Sequence, residues 1–332
     1  MNKLIKKCTV VILTLLSIFF LGNSLVFADS NEFSITPVLP QNQQTDVESY
    51  FDLVVTPNSS QTLAITIKNN SQNVQKYNLV VNTATTNQNG IVDYSMSDFD
   101  KDESMQISLK DLISLKTPQV EVDGNTQKDV YFELTVPEES FEGILLGGIT
   151  VEPIVEESSE GITNLVTRTL GIQLSESDEV VEPILKSGGI SLSQENYRNN
   201  VKFEIRNITP TLINRVTAEI SIAKNGNSTS TIEQTREQLA IAPNSKFNLM
   251  TEWNEQFEAG IYTYNILLSD SQGHEWKFSE EFEIKEQDAK KLNKTSYDNT
   301  QDSLNDYIPF LLGMILIIFI IVLFLKKKNK RS

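Results

Sequence analysis

The chain has 332 residues, 44 of them acidic and 28 basic, for a formal charge of −16. That balance disfavours nucleic acid or anionic lipid as a partner. One cysteine, Cys8, and one histidine, His274, exclude an internal disulfide framework and a zinc site built on several histidines.

In chain order, Lys3, Lys6 and Lys7 precede the apolar run CTVVILTLLSIFFLG at 8–22, and Val26-Phe27-Ala28 follows it. A basic start, an apolar core and small residues before the cut predict a signal peptide over 1–28, cleaved before Asp29. Cys8 leaves with it. Residues 1–28 and 307–332 contain no acid and hold three and five basic residues, so 29–306 carries −24. Such charge keeps a surface protein soluble and free of self-association.

Strands follow. Leu63, Ile65 and Ile67 alternate with polar neighbours, as do Tyr77, Leu79 and Val81, and Val130, Phe132, Leu134 and Val136. Period-2 alternation marks strands with one buried face. Asn69-Asn70-Ser71, Asn89-Gly90 and Asp123-Gly124 supply turns between them. Only 108–115 (SLKDLISL) predicts one or two helical turns. Segments 143–154 and 162–174 both read as strands, a long hairpin with the acidic 156–160 at its tip.

The second half repeats the pattern. Val201, Phe203 and Ile205 alternate with Lys202, Glu204 and Arg206, and Val216, Ala218, Ile220 and Ile222 continue it. In the last strand Trp276, Phe278, Phe282 and Ile284 share one face, which is expected to be core. Two short stretches recur: Ile67-Lys68-Asn69-Asn70-Ser71 echoes Ile205-Arg206-Asn207-Ile208-Thr209, and Phe141-Glu142-Gly143-Ile144 echoes Phe257-Glu258-Ala259-Gly260-Ile261. More chain separates the landmarks in the first half, and the surplus falls at 83–110.

The expected architecture is all-β: two immunoglobulin-like sandwiches, at 29–178 and 183–287, the first with an inserted excursion. Residues 288–306, polar and aperiodic, read as a stalk. Residues 308–325 (IPFLLGMILIIFIIVLFL) carry no charge and span roughly 27 Å as a helix, the thickness of a bilayer core. A transmembrane helix is expected at 307–325. The basic tail 326–332 (KKKNKRS) then places itself in the cytoplasm and the sandwiches outside.

Several ordered motifs carry a resemblance. Phe33-Ser34-Ile35-Thr36-Pro37-Val38-Leu39-Pro40, Tyr50-Phe51-Asp52-Leu53, Ala84-Thr85-Thr86-Asn87-Gln88-Asn89-Gly90 and Gly147-Gly148-Ile149 resemble the WxL-interacting protein family of low-GC Gram-positive bacteria. Ala242-Pro243-Asn244-Ser245, Ala259-Gly260-Ile261-Tyr262 and Trp276-Lys277-Phe278 resemble its second domain. Leu239-Ala240-Ile241 stands where that family often has methionine. The resemblance implies a first domain that binds peptidoglycan and a second that binds host protein, working alongside secreted WxL-domain proteins.

For the glycan contact, Thr85, Thr86, Asn87, Asn89 and Tyr94 offer hydroxyls, amides and an aromatic in one loop. The competing explanation is that Asn and Thr here build turns, with Asn89-Gly90 a hairpin tip. No catalytic residues, metal ligands or cofactor are expected. A Ser-His-Asp triad would need His274, which sits in a tight turn, and no signature selects a carboxylate pair for glycan hydrolysis. Asp98-Phe99-Asp100-Lys101-Asp102 opens like a calcium loop. However, Glu103 stands where such a loop needs glycine and Leu109 where it needs its bidentate glutamate, so a solvated acidic loop is expected. The expected function is non-catalytic adhesion or scaffolding. The alternatives are an assembly chaperone that donates a sheet edge and, remotely, a wall glycan hydrolase.

Overall fold

The computed structural model describes residues 32–155, 165–226 and 230–296. The expected leader, the acidic hairpin tip at 156–160, the first residues of the strand expected at 162–174 and the apolar run at 308–325 lie outside the described residues. Among those described, no helix is long and apolar enough to cross a membrane.

The first sandwich packs two sheets face to face. One has the order β1 (Phe33–Val38), β3 (Ser60–Asn69), β9 (Gln127–Thr135), β7 (Ile113–Ser114). The other has the order β2 (Phe51–Val54), β11 (Arg168–Ser175), β10 (Ile144–Ile154), β4 (Gln75–Thr83), β8 (Gln119–Val122). Alternate residues of these strands meet between the sheets. Leu63, Ile65, Ile67, Phe132, Leu134, Leu79 and Ile149 are all at most 2 % exposed in one apolar core. The long hairpin is present, β10 pairing antiparallel with β11 from Ile144↔Ser175 to Val151↔Arg168.

The second sandwich has sheets β12 (Leu185–Glu195), β13 (Arg198–Asn207), β16 (Ser245–Trp253) and β15 (Ile232–Ile241), β14 (Ile213–Lys224), β17 (Gly260–Ser269), β18 (Glu275–Ile284). Strand for strand the topologies agree. The order β11-β10-β4-β8 corresponds to β18-β17-β14-β15, and β1-β3-β9 to β12-β13-β16. The first sandwich adds β2, parallel to β11, and β7 on the β9 edge.

The echoed stretches occupy equivalent corners. Asn69, fully buried at the end of β3, donates from Nδ2 to the carbonyls of Asn73 (2.8 Å) and Val122 (3.0 Å) and accepts Ser71 N–H at Oδ1 (2.9 Å). Asn207, fully buried at the end of β13, donates to the carbonyls of Thr211 (2.7 Å) and Ala242 (2.9 Å) and accepts Thr209 N–H (3.2 Å). In each case one carboxamide satisfies the chain four residues on and the end of a neighbouring strand. Asn69→Ala removes the side-chain donor to the buried Val122 carbonyl, and Asn207→Ala leaves the buried Ala242 carbonyl with Ser245 Oγ as its side-chain donor, so each should destabilise by about 1–3 kcal/mol. A urea midpoint unchanged in both variants would refute that role.

Two expectations need correction. β18 is the outer strand of its sheet, so Trp276, Phe278 and Phe282 are only half-buried, and Ile284 alone on that face is fully covered. The expected stalk does not begin at 288. Helix α2 (Glu286–Asn293) folds back onto the second sandwich, where Asn293 bonds both the N–H (2.8 Å) and the carbonyl (2.9 Å) of Phe257. Gln194 Nε2 donates to the Leu292 carbonyl nearby, at 2.6 Å. Helix α1 is the single turn Leu109–Leu112, within the helical stretch predicted at 108–115.

Candidate functional site: the junction of the two sandwiches

The surplus chain of the first sandwich lies between β4 and β8, at 84–118, where the second sandwich has only 225–231 between β14 and β15. It opens with a small hairpin, β5 (Thr85–Thr86) and β6 (Val92–Asp93), paired Thr85↔Asp93 and Thr86↔Val92. Asn87 closes the tip: its N–H reaches the Ile91 carbonyl (2.9 Å) and its Oδ1 accepts Asn89 N–H (2.9 Å). Gly90 turns at φ +73° and lies directly against the Leu239 side chain.

This tip is inserted into the second sandwich. Ala240 N–H donates to the Gly90 carbonyl (2.8 Å) and Met250 N–H to the Gln88 carbonyl (3.1 Å). Thr86 Oγ1 accepts Ala242 N–H (2.9 Å) and shares a hydrogen bond with Ser245 Oγ (3.2 Å). Ala84, Leu146 and Ala242 form a small apolar cluster across the junction, with Val92, Tyr94 and Leu212 packed on it. A second strut joins Ile144 N–H to the Pro210 carbonyl at 2.8 Å. Gly143 allows that approach, since it adopts φ +63° and an added Cβ would collide with the Pro210 carbonyl oxygen.

Charges complete the contact. Asp102, its side chain fully buried, meets Arg206 Nε at 2.6 Å and accepts Ser104 N–H at 2.9 Å. Asp100 pairs with Lys246 at 2.6 Å, and Glu103 lies 3.8 Å from Arg206. Burial pushes the Asp102 carboxyl up, but the hydrogen bonds from Arg206 and Ser104 and the guanidinium charge outweigh it and hold it below the usual carboxylate range. The expected solvated acidic loop is therefore an interdomain clamp. Among the described residues, no group of three or more His, Cys, Asp or Glu is placed to hold a metal.

The five residues expected to face glycan do not share an open surface. Thr85 and Thr86 are 3 % and 4 % exposed. Asn87 spends its Oδ1 on its own turn, Tyr94 is half-buried in the junction cluster, and only Asn89 is exposed. Their polarity serves docking, a role invisible without Ala242, Ser245 and Met250 beside them. His274 is likewise not a free turn residue. Its Nδ1 lies 2.7 Å from Asp270 and its Nε2 3.0 Å from Glu182, so carboxylates engage both ring nitrogens and neither serves a nucleophile. The hydrogen bond to Asp270, then that to Glu182, raises the imidazole pKa despite some desolvation.

The chain is thus a pair of immunoglobulin-like sandwiches joined by a packed junction. Residues 33–153 match the model described as WxL Interacting Protein, peptidoglycan binding domain, and residues 157–294 match WxL Interacting Protein, host binding domain. The chain belongs to the WxL-interacting protein family. The second match begins before β11, whereas hydrogen bonds place β11 in the first sandwich. No curated protein matches the chain.

Among solved structures, a chaperone–tip adhesin complex of CFA/I fimbriae is 10 % identical, covering 74 % of this chain and 97 % of that one, with a TM-score of 0.32. The E. coli chaperone DraB is 15 % identical over 76 % and 98 %, with a TM-score of 0.30. At these scores the likeness carries no functional argument.

Proposed function

We propose that the protein is a non-catalytic scaffold at the cell surface. Its first sandwich holds peptidoglycan, and its second holds a protein, either a secreted WxL-domain protein or a host extracellular protein. The observation that carries this reading is the order of the two family matches, a wall-binding domain and then a protein-binding domain. The junction supports it further. A hairpin tip, two buried hydroxyls and an ion pair with a fully buried carboxylate make the sandwiches one unit, so a partner on the second is presented at a fixed orientation to the wall. The charge-free run at 308–325 and the basic residues after it support anchoring in the membrane with the sandwiches outside.

The test is sedimentation of the 29–306 ectodomain with purified peptidoglycan across a salt series, followed by capture of secreted WxL-domain proteins on the pelleted complex. With −24 on the ectodomain, binding rests on hydrogen bonds and stacking. It should hold or improve as salt screens repulsion from anionic wall polymers. No pelleting, or release of soluble muropeptides, would overturn the reading.

A further inference from the structure

One aromatic in the segment matched to the wall-binding domain stands clear of its sheet. Tyr131, on the outer face of β9, is 61 % exposed, while the other described aromatics of 33–153 are buried or half-buried. It sits opposite Ala64 of β3, which sits opposite Val38 of β1. These three make an apolar row across three strands, roughly 10 Å from end to end at two strand spacings, room for two pyranose rings. Ala64 is only 6 % exposed, so the row's middle is low and its ends, Tyr131 and the 45 %-exposed Val38, rise on either side.

Polar rows flank it. On one side Thr66 Oγ1 donates to Asp129 Oδ1 at 2.7 Å, and on the other Thr62 Oγ1 donates to Glu133 Oε1 at 3.0 Å. Lys116 Nζ also reaches Glu133, at 3.4 Å. The junction draws on the excursion and the start of β10, which leaves this face open.

We propose that this row is the glycan platform of the first sandwich, a deepening that rests on the wall-binding function proposed above. The apolar C–H face of an amino sugar stacks on Tyr131 and covers Ala64. Sugar hydroxyls and the N-acetyl N–H donate to Asp129 and Glu133, which keep free lone pairs after accepting from threonine. The same carboxylates repel phosphate, so the occupant is the neutral glycan strand rather than a phosphate-bearing wall polymer.

The experiment sediments the intact ectodomain with peptidoglycan stripped of phosphate-bearing polymers, using chito-oligosaccharide as soluble competitor. Tyr131→Ala should weaken binding by about tenfold and Tyr131→Phe by less than about threefold, because the ring remains. Melting temperatures should stay unchanged, and the oligosaccharide should compete. If the wild type pellets and Tyr131→Ala pellets equally well, the platform is refuted while the wall-binding function stands. Loss in Asn89→Ala instead would move the contact to the hairpin tip and refute it too. Retention only on wall that keeps its phosphate polymers refutes the neutral-glycan assignment. If the wild type pellets with neither, platform and function fall together.

Discussion

Arg206→Ala should lower the stability of the ectodomain by about 3 kcal/mol, because it strands a carboxylate that water cannot reach. The Asp102 side chain is fully buried between its own excursion and Arg206 of β13, and after the substitution it keeps Ser104, whose N–H lies at 2.9 Å, but loses its charged partner. Replacing both partners together, as Asp102→Leu with Arg206→Met, should cost much less, since no buried charge is then left unpaired. Acid should mimic the single variant. The folded pKa of Asp102 lies below its unfolded value, so its contribution is present above the unfolded pKa and lost as pH falls through the folded one. Arg206→Ala should therefore show a shallower loss of stability below about pH 4 than the wild type. Urea unfolding at several pH values, with limited proteolysis of the connecting segment 176–184, measures both effects. An Arg206→Ala midpoint within about 0.5 kcal/mol of wild type would mean the clamp contributes nothing measurable.

Phe203→Ala should cost about 3–5 kcal/mol, the range for a large aromatic removed from a core. Phe203 is fully buried on β13, stacked on Tyr264 with ring centroids 4.9 Å apart and meeting Phe278 at 6.0 Å. Tyr264 makes the cavity hard to collapse, because its buried hydroxyl is tied to Thr251 Oγ1 at 2.8 Å. Trp276→Ala removes a side chain that is half-exposed on the outer strand and touches His274 at a centroid distance of 5.7 Å. Its loss should be about 1–2 kcal/mol, since only part of the ring's apolar area leaves water on folding. Equal losses for the two variants in urea unfolding would mean that the Trp276 end of the inward face of β18 is fully covered in solution.

The sequence by itself determined which residues alternate inward along the strands it revealed. Leu63, Ile65 and Ile67 on β3, or Val201, Phe203 and Ile205 on β13, are core because burying every second residue is a constraint each strand satisfies on its own. It also carried the internal repeat, since Asn69 and Asn207 serve corners whose nearest partners lie two and four residues along the chain. Family membership was readable for a related reason, the motifs being short and ordered along the chain.

Only the tertiary structure decided what the 83–110 surplus does. Thr86 and Ser245 are 159 residues apart, and Asp102 and Arg206 are 104 apart. Hydroxyls and carboxylates look the same in a sequence whether they meet water, a sugar or a second domain. Alternation likewise names the face of β18 that carries Trp276 and Phe278 but not whether another sheet covers it. The helix Glu286–Asn293 follows the same rule: its apolar face is only Ala289 and Leu292, which pack on the second core, and it is further held by Asn293 against Phe257 and by Gln194 against the Leu292 carbonyl, contacts that exist only once the second sandwich has formed.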